Sequence, residues 1–83
     1  MNHRIDEMLE PGSKIGILGG GQLGRMLAVA ATRLGFKSHI FEPAKNSPAS
    51  QVSFQVSTAS YEDENALIEF AKDVDVITYE FEN

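Results

Sequence analysis

The sequence of 83 residues predicts an α/β fold: a parallel sheet of four strands in the order 3-2-1-4, with flanking helices. Two observations support this prediction. Short apolar runs alternate with segments whose apolar residues recur at helical spacing, and a glycine-rich loop joins the first strand to the first helix. Parallel strands require crossover connections, nearly all of which are right-handed, and the strand order follows from that handedness.

The first strand and the loop after it carry the clearest signal. Lys14–Leu18 is a short apolar run typical of a buried parallel strand, and Gly19, Gly21 and Gly24 follow with the spacing G-x-G-x-x-G. Gly19 permits a tight turn off the strand, Gly21 lets a ligand approach the backbone, and Gly24 lets the helix pack closely on the sheet. The loop therefore predicts a site for a phosphate or another polar group at the start of the helix.

The first helix is expected from about Gln22 to Leu34, with Gly35 as its stop. Six of its residues recur at helical spacing and predict one buried apolar stripe. They are Leu23, Met26, Leu27, Ala30, Ala31 and Leu34.

The remaining elements follow from similar patterns. A second strand is expected over 37–42 and ends at Pro43, a short helical turn over 48–52, and a third strand over 54–58. Asp63 is the expected N-cap of a helix that runs to about Lys72. The buried face of that helix should be Ala66, Leu67, Phe70 and Ala71, and the fourth strand should span 74–79.

Residues 1–13 read as a leader before a single domain over 14–83. The chain is too short for a complete domain of two mononucleotide-binding halves, and a predicted strand lies directly before its last four residues. We therefore expect it to be the N-terminal piece of a longer protein.

The composition excludes several classes of protein. A net charge of −5 without a basic stripe argues against a nucleic-acid partner, and the absence of cysteine excludes disulfides, thiol catalysis and thiolate metal sites. No apolar run reaches the ~18 residues of a membrane span, and the leader lacks the basic and apolar regions of a signal peptide. A cytoplasmic protein without nucleic-acid or membrane partners is expected.

The predicted topology brings two distant segments together. Strands 1 and 4 become neighbours where the winding direction reverses, which is where open α/β sheets bind their ligands. Gln22 and Leu23 offer backbone N–H groups there, and Arg25 places a cation in the first helical turn. Glu80 and Glu82 follow strand 4 and would share a face if the strand geometry continued. These residues are candidate ligand contacts; the alternative is a set of solvated loop and first-turn side chains.

Two further residues have competing interpretations. Glu42 ends the second strand, where an acid in a dinucleotide-binding fold binds the adenosine ribose, although an ordinary strand-end carboxylate would fit as well. His39 lies within that strand and is expected to be structural. The sequence contains no complete catalytic set, no metal-ligand cluster and no phosphate-binding lysine of the P-loop type.

Three segments occur in order that are specific enough to indicate a family. They are Gly19–Met26 (GGGQLGRM), the segment 42–52 with its Glu-Pro, Asn-Ser-Pro and Gln-Val pairs, and Thr78–Asn83 (TYEFEN). Together they closely resemble the N-terminal domain of the 5-(carboxyamino)imidazole ribonucleotide synthase family, the ATPase subunit of the bacterial phosphoribosylaminoimidazole carboxylase system. The resemblance covers residues 13–83.

This resemblance implies a Rossmann-like, pre-ATP-grasp domain of an ATP-grasp ligase in purine biosynthesis. Such an enzyme uses ATP, magnesium and bicarbonate to carboxylate the exocyclic amine of aminoimidazole ribonucleotide. The ATP and magnesium sites belong to later domains, so the resemblance implies an inactive fragment of an active parent, which we expect to be a homodimer.

The resemblance also assigns candidate roles to individual residues. It implies substrate contacts at Gln22, Leu23 and Glu80, within a loop that includes Gly21 and Gly24, and Arg25 and Glu82 are candidate phosphate or ribose contacts. The family more often has aspartate where this chain has Glu42, and its members usually have a shorter leader.

Two other hypotheses remain open at this point. The chain could be the first mononucleotide-binding half of an NAD(P)-dependent dehydrogenase or of a regulatory nucleotide-binding domain, or a domain that has retained no binding. Against the dehydrogenase stands the Tyr79–Asn83 segment, which a dinucleotide-binding domain does not need.

Overall fold

A computed structural model describes residues 9–79, in which a parallel sheet packs between helices. The elements in chain order are β1 (Lys14–Leu18), α1 (Gln22–Arg33), β2 (Lys37–Phe41), a 3₁₀ helix (Pro48–Gln51), β3 (Gln55–Ser57), α2 (Glu64–Asp73) and β4 (Val76–Tyr79).

The sheet has the strand order β3-β2-β1-β4, and every neighbouring pair is parallel. This confirms the order predicted from the sequence. Leu18 at the end of β1 is in register with Phe41 of β2 and with Tyr79 of β4. The carboxyl ends of these three strands therefore lie side by side at one edge of the sheet.

The two faces of the sheet are covered by different elements. On one face, Ile17 and Ile40 pack with Ala28 of α1 and Ala49 of the 3₁₀ helix. On the other face, α2 inserts Phe70 against Phe41 and over Gly16, where a Cβ would lie 2.7 Å from the Phe70 ring. Neighbouring residues of β1 thus face opposite layers, as the pleat of a strand requires.

The buried face of α1 agrees only in part with the predicted stripe, with which it shares Ala31 and the half-buried Leu27. Gly24, Ala28 and Ala31 are the buried residues, whereas Met26 and Leu34 are 66% and 59% exposed. Small residues let the helix axis lie close to the sheet, so this face points inward and the larger side chains lie at its margins. Leu34 lines an open groove with Ile15 and Val76, which no other element of residues 9–79 fills.

Helix α1 begins at Gln22 as predicted and ends at Arg33, one residue earlier than predicted. Leu34 is the C-cap, and Gly35 has a φ of 88°. Gly35 N–H donates to the Thr32 carbonyl, and Phe36 N–H donates to the Ala31 carbonyl. This pair of bonds is a Schellman motif, which needs a left-handed residue at the glycine position.

The start of α2 confirms the predicted N-cap, because the Asp63 carboxylate accepts a hydrogen bond of 3.0 Å from Ala66 N–H. Of the four residues expected on its buried face, Phe70 is buried, Ala66 and Leu67 are half-buried, and Ala71 is exposed. Phe70 alone reaches the core because Gly16 leaves space beneath it. The strand expected from Val74 begins at Val76, because α2 extends to Asp73 and Val74 is its C-cap residue.

The third strand is shorter than predicted, and Phe54 lies outside it with 59% exposure. The Lys37 ammonium lies 4.8 Å from the centre of the Phe54 ring, at a distance where a cation and an aromatic face attract each other.

Within residues 9–79, no helix is long and apolar enough to cross a membrane.

Candidate functional site

The candidate site lies at the carboxyl edge of the sheet, where β1 and β4 end beside each other. Leu18 pairs with Tyr79, so the glycine loop begins next to the position at which the chain leaves β4. Glu80 and Glu82, both expected at this edge, lie outside the described residues 9–79. The described part of this edge is therefore formed by the ends of the strands and by the glycine loop.

The glycine loop leaves β1 through a sharp turn. Gly19 has a φ of 115°, a conformation that residues with a Cβ rarely adopt, and its N–H donates to the Phe41 carbonyl at 2.9 Å. This is the tight turn that the sequence predicts at Gly19. It directs the chain from the edge of the sheet into α1.

The N-terminus of α1 is presented at this edge. Gly21 is the N-cap residue and provides no side-chain hydrogen bond to the helix. Gln22 and Leu23 are the first helical residues; Leu23 is exposed and Gln22 is also open to solvent. Backbone N–H groups in the first turn of a helix have no helical acceptor, and the helix dipole favours negative charge beside them. The arrangement can therefore bind a phosphate or a polar oxygen.

Arg25 connects this helix turn to the 3₁₀ helix. Its Nη1 donates to the Pro48 carbonyl at 3.3 Å and to Oε1 of Gln51 at 3.2 Å. Two of the five N–H donors of a guanidinium account for these bonds, which leaves the group able to bind an anion as well. The structure thus gives Arg25 a bridging role that the sequence did not predict.

Glu42 is directed at the glycine loop. Its Oε1 accepts a hydrogen bond of 2.7 Å from Gly20 N–H, and its Oε2 accepts one of 2.9 Å from Ala44 N–H. In a dinucleotide-binding fold, the acid at this position would bind the ribose hydroxyls. Here the carboxylate bonds to the glycine loop and to the loop that follows β2. Glu42 therefore no longer favours the hypothesis of a nicotinamide cofactor.

Ser47 is a further residue of this region, for which the sequence did not indicate a role at the site. It is only 6% exposed, and its Oγ has no hydrogen-bond partner among residues 9–79. A Cβ on Gly20 would lie 2.6 Å from this oxygen and 2.9 Å from Cγ of Glu42. The Asn-Ser-Pro sequence was a signal of family resemblance, but its contact with the glycine loop depends on tertiary structure.

His39 belongs to a separate network, in which the imidazole is buried and Lys14 and Asp73 are partly exposed. Its Nδ1 lies 2.8 Å from Asp73 Oδ2, its Nε2 lies 2.7 Å from Ser57 Oγ, and Lys14 Nζ lies 2.9 Å from Asp73 Oδ1. Because the carboxylate only accepts, we assign the proton to Nδ1, so that the Ser57 hydroxyl donates to Nε2. Burial lowers the pKa of His39, and the bond from Lys14 lowers the pKa of Asp73.

Ser57, His39 and Asp73 are arranged like the serine, histidine and aspartate of a catalytic triad, but the imidazole is not accessible to a substrate. His39 is 2% exposed and packs edge-on against the Phe70 ring at 4.8 Å. A substrate cannot reach an imidazole held beneath α2, so the structural role expected for His39 fits this geometry. Among residues 9–79, no group of three or more His, Asp or Glu side chains is placed to hold a metal ion.

The chain is similar to known proteins at the level of family, of individual sequence and of solved structure. Residues 12–83 match the ribonucleotide synthetase preATP-grasp domain family. N5-carboxyaminoimidazole ribonucleotide synthase of Brucella melitensis is 59% identical over 75 residues, which are 90% of this chain and 21% of that protein. The chain therefore spans about a fifth of the length of this relative.

Solved structures of proteins with similar names also match this chain in fold and in sequence. N5-carboxyaminoimidazole synthetase from Staphylococcus aureus, complexed with ADP, has a TM-score of 0.85 and 45% identity over 90% of this chain and 20% of its own. The synthase from Aspergillus clavatus, in complex with ADP and 5-aminoimidazole ribonucleotide, has a TM-score of 0.75 and 42% identity over 86% of this chain and 19% of its own.

The family match covers the sheet, both helices and the glycine loop described above. The predicted α/β fold and the predicted family resemblance are both confirmed. The chain belongs to the ribonucleotide synthetase preATP-grasp domain family.

Proposed function

We propose that this chain is the ribonucleotide-binding domain of an ATP-dependent ligase that carboxylates aminoimidazole ribonucleotide with bicarbonate. One observation carries the proposal. The N-terminus of α1 lies at the carboxyl edge of the sheet, where it can bind a polar ligand. The domain that contains it is 42% identical to part of an enzyme whose crystal structure contains ADP and 5-aminoimidazole ribonucleotide.

The ribonucleotide would be bound by the first turn of α1 and by the segment after β4. We assign its polar groups to the backbone N–H groups of Gln22 and Leu23, in the loop that includes Gly21 and Gly24, and to the Glu80 carboxylate. Arg25 and Glu82 are proposed as phosphate or ribose contacts.

The remaining ligands of the reaction are assigned to parts of the full-length protein that this chain does not include. ATP and magnesium would bind in later domains, and bicarbonate would be the co-substrate. We further propose that the full-length protein is a cytoplasmic homodimer, and that the 83-residue chain is inactive by itself.

The test is an assay of the full-length protein that carries this domain. ADP release should require aminoimidazole ribonucleotide and bicarbonate together, and ¹³C from labelled bicarbonate should appear in a carbamate on the ribonucleotide. AMP is the matched control, since it keeps a ribose phosphate but has no amine of this kind. ADP release that is equally fast without the ribonucleotide, or no release at all, would refute the proposal.

A further inference from the structure

The Glu42 carboxylate bonds to the glycine loop and, at the same time, to the loop that follows β2. We propose that Glu42 is a positioning residue, which holds the glycine loop in the conformation that presents the N-terminus of α1 to the ribonucleotide. The inference rests on the proposed function, and it adds a residue that acts through the loop instead of touching the substrate.

The peptide units on both sides of Gly20 are fixed from outside the loop. Gly20 N–H donates to Glu42 at 2.7 Å, and the Gly20 carbonyl accepts a bond of 2.9 Å from Ala49 N–H. Gly20 directly precedes the N-cap residue Gly21. The orientation of these peptides therefore determines where the helix starts and where its first N–H groups point.

The loop needs such an anchor because of its composition. Gly19, Gly20 and Gly21 are consecutive, and glycine loses more backbone entropy on ordering than any other residue. The N-cap glycine provides no side-chain bond of its own. If the loop were ordered only on binding, its entropy loss would weaken the affinity, whereas a loop ordered in advance binds more tightly.

The charge of Glu42 suits this role. A carboxylate has only acceptors, so it can receive N–H groups from Gly20 and Ala44 at the same time. Such charge-assisted bonds are stronger than those of a neutral acceptor. The surrounding space is also closed, because Ser47 Oγ and Glu42 Cγ occupy the position that a Gly20 side chain would need.

The proposal is tested with Glu42→Gln in the full-length protein. The amide keeps the size but has one acceptor oxygen and an NH₂ that cannot accept, so one of the two N–H groups loses its partner. We expect the KM for aminoimidazole ribonucleotide to rise about tenfold, which corresponds to ~1.4 kcal/mol, with kcat and the KM for ATP nearly unchanged.

A second measurement reports on the loop without substrate. In the amide NMR spectrum, the Gly20 proton of the wild type should be shifted downfield and protected from exchange, and Glu42→Gln should reverse both effects. The matched control is Glu69→Gln, an exposed carboxylate of α2 whose ion-pair partner is Lys72 at 3.7 Å, which should change neither measurement.

The outcomes separate this inference from the proposed function. A wild-type protein that does not act on the ribonucleotide would overturn both. An active wild type whose KM for the ribonucleotide is the same in Glu42→Gln would overturn the positioning role alone. An unperturbed Gly20 amide in that variant would do so too, even if the variant were too unstable for kinetics.

Discussion

Glu80 is the residue on which the proposed substrate contact depends most directly. Leu18 and Tyr79 pair at the carboxyl edge of the sheet, and Glu80 is the next residue in the sequence after β4. A carboxylate at this edge would accept hydrogen bonds from the ribonucleotide and help to hold its amine.

Glu80→Gln in the full-length protein therefore removes a charged acceptor while keeping its size. Since such a bond contributes ~1.5–3 kcal/mol, we expect kcat/KM for the ribonucleotide to fall about 10- to 100-fold. The KM for ATP should barely change, because ATP would bind in another domain. Unchanged ribonucleotide kinetics, or an unfolded variant, would show that Glu80 is structural.

His39 gives a prediction about the pH dependence of stability. Burial holds its pKa below the ordinary value of 6.5, so the unfolded chain binds a proton more readily than the folded one. The stabilising contribution of neutral His39 is complete above pH 6.5 and is lost as the pH falls from there through the lowered pKa. The charged groups that face the imidazole are Asp73 of α2 and Lys14 of β1.

Replacement of His39 by glutamine should flatten this dependence, since a glutamine side chain does not titrate. We expect the wild type to lose more unfolding free energy than His39→Gln between about pH 7.5 and about pH 5, measured by urea denaturation. Asp73 does not interfere in this range, because its own pKa is lowered from 3.8 and its contribution is lost only at more acidic pH. Equal slopes for the two proteins would contradict the prediction.

At the scale of elements, the start of α2 depends on one local bond. Asp63 Oδ1 accepts the Ala66 N–H at 3.0 Å, and Glu64 adds a second negative charge in the first turn. Both features stabilise a helix N-terminus. The cap matters for the whole sheet, because α2 covers the face that carries Phe41 and His39.

Asp63→Ala should lower the free energy of unfolding by about 1 kcal/mol, within the usual range of ~0.5–2 for an N-cap. Asp63→Asn is the control, since asparagine also caps helices and should retain most of the stability. Thermal or urea unfolding of the three proteins measures the difference. A loss as large in Asp63→Asn as in Asp63→Ala would indicate that the cap bond is not the cause.

The two helices also show how far a periodic pattern can predict an element. Their existence, and the residues that begin and end them, follow from local signals such as Asp63 and Gly35. The inward face of α1 was predicted only in part: Ala31 is buried and Leu27 packs against the core as expected, but the pattern favoured larger apolar residues over Gly24 and Ala28. The sheet selected Gly24, Ala28 and Ala31, whose small side chains permit close packing.

At the scale of the whole molecule, the chain spans about a fifth of the length of its relative from Brucella melitensis. We expect the 83-residue chain to hydrolyse no ATP, with or without aminoimidazole ribonucleotide. The physical reason is that the sequence provides neither a P-loop lysine nor a cluster of metal-binding carboxylates. A phosphate-release assay, with the full-length protein as positive control, measures this.

The same chain should not bind NAD with useful affinity, because the Glu42 carboxylate is bonded to Gly20 and Ala44 instead of facing a ribose. Calorimetric titration provides the measurement. Binding in the micromolar range would favour the hypothesis of a dehydrogenase half over the proposed ligase domain.

The sequence by itself determined the fold class, the strand order, the glycine turn at Gly19 and the cap at Asp63. These depend on local periodicity, on residues suited to one backbone conformation, and on the handedness of crossovers. Only the tertiary structure decided the partners of Glu42 and of His39. Gly20 is 22 residues from Glu42, and Asp73 is 34 residues from His39. Such contacts depend on the distances between packed elements, which no local pattern specifies.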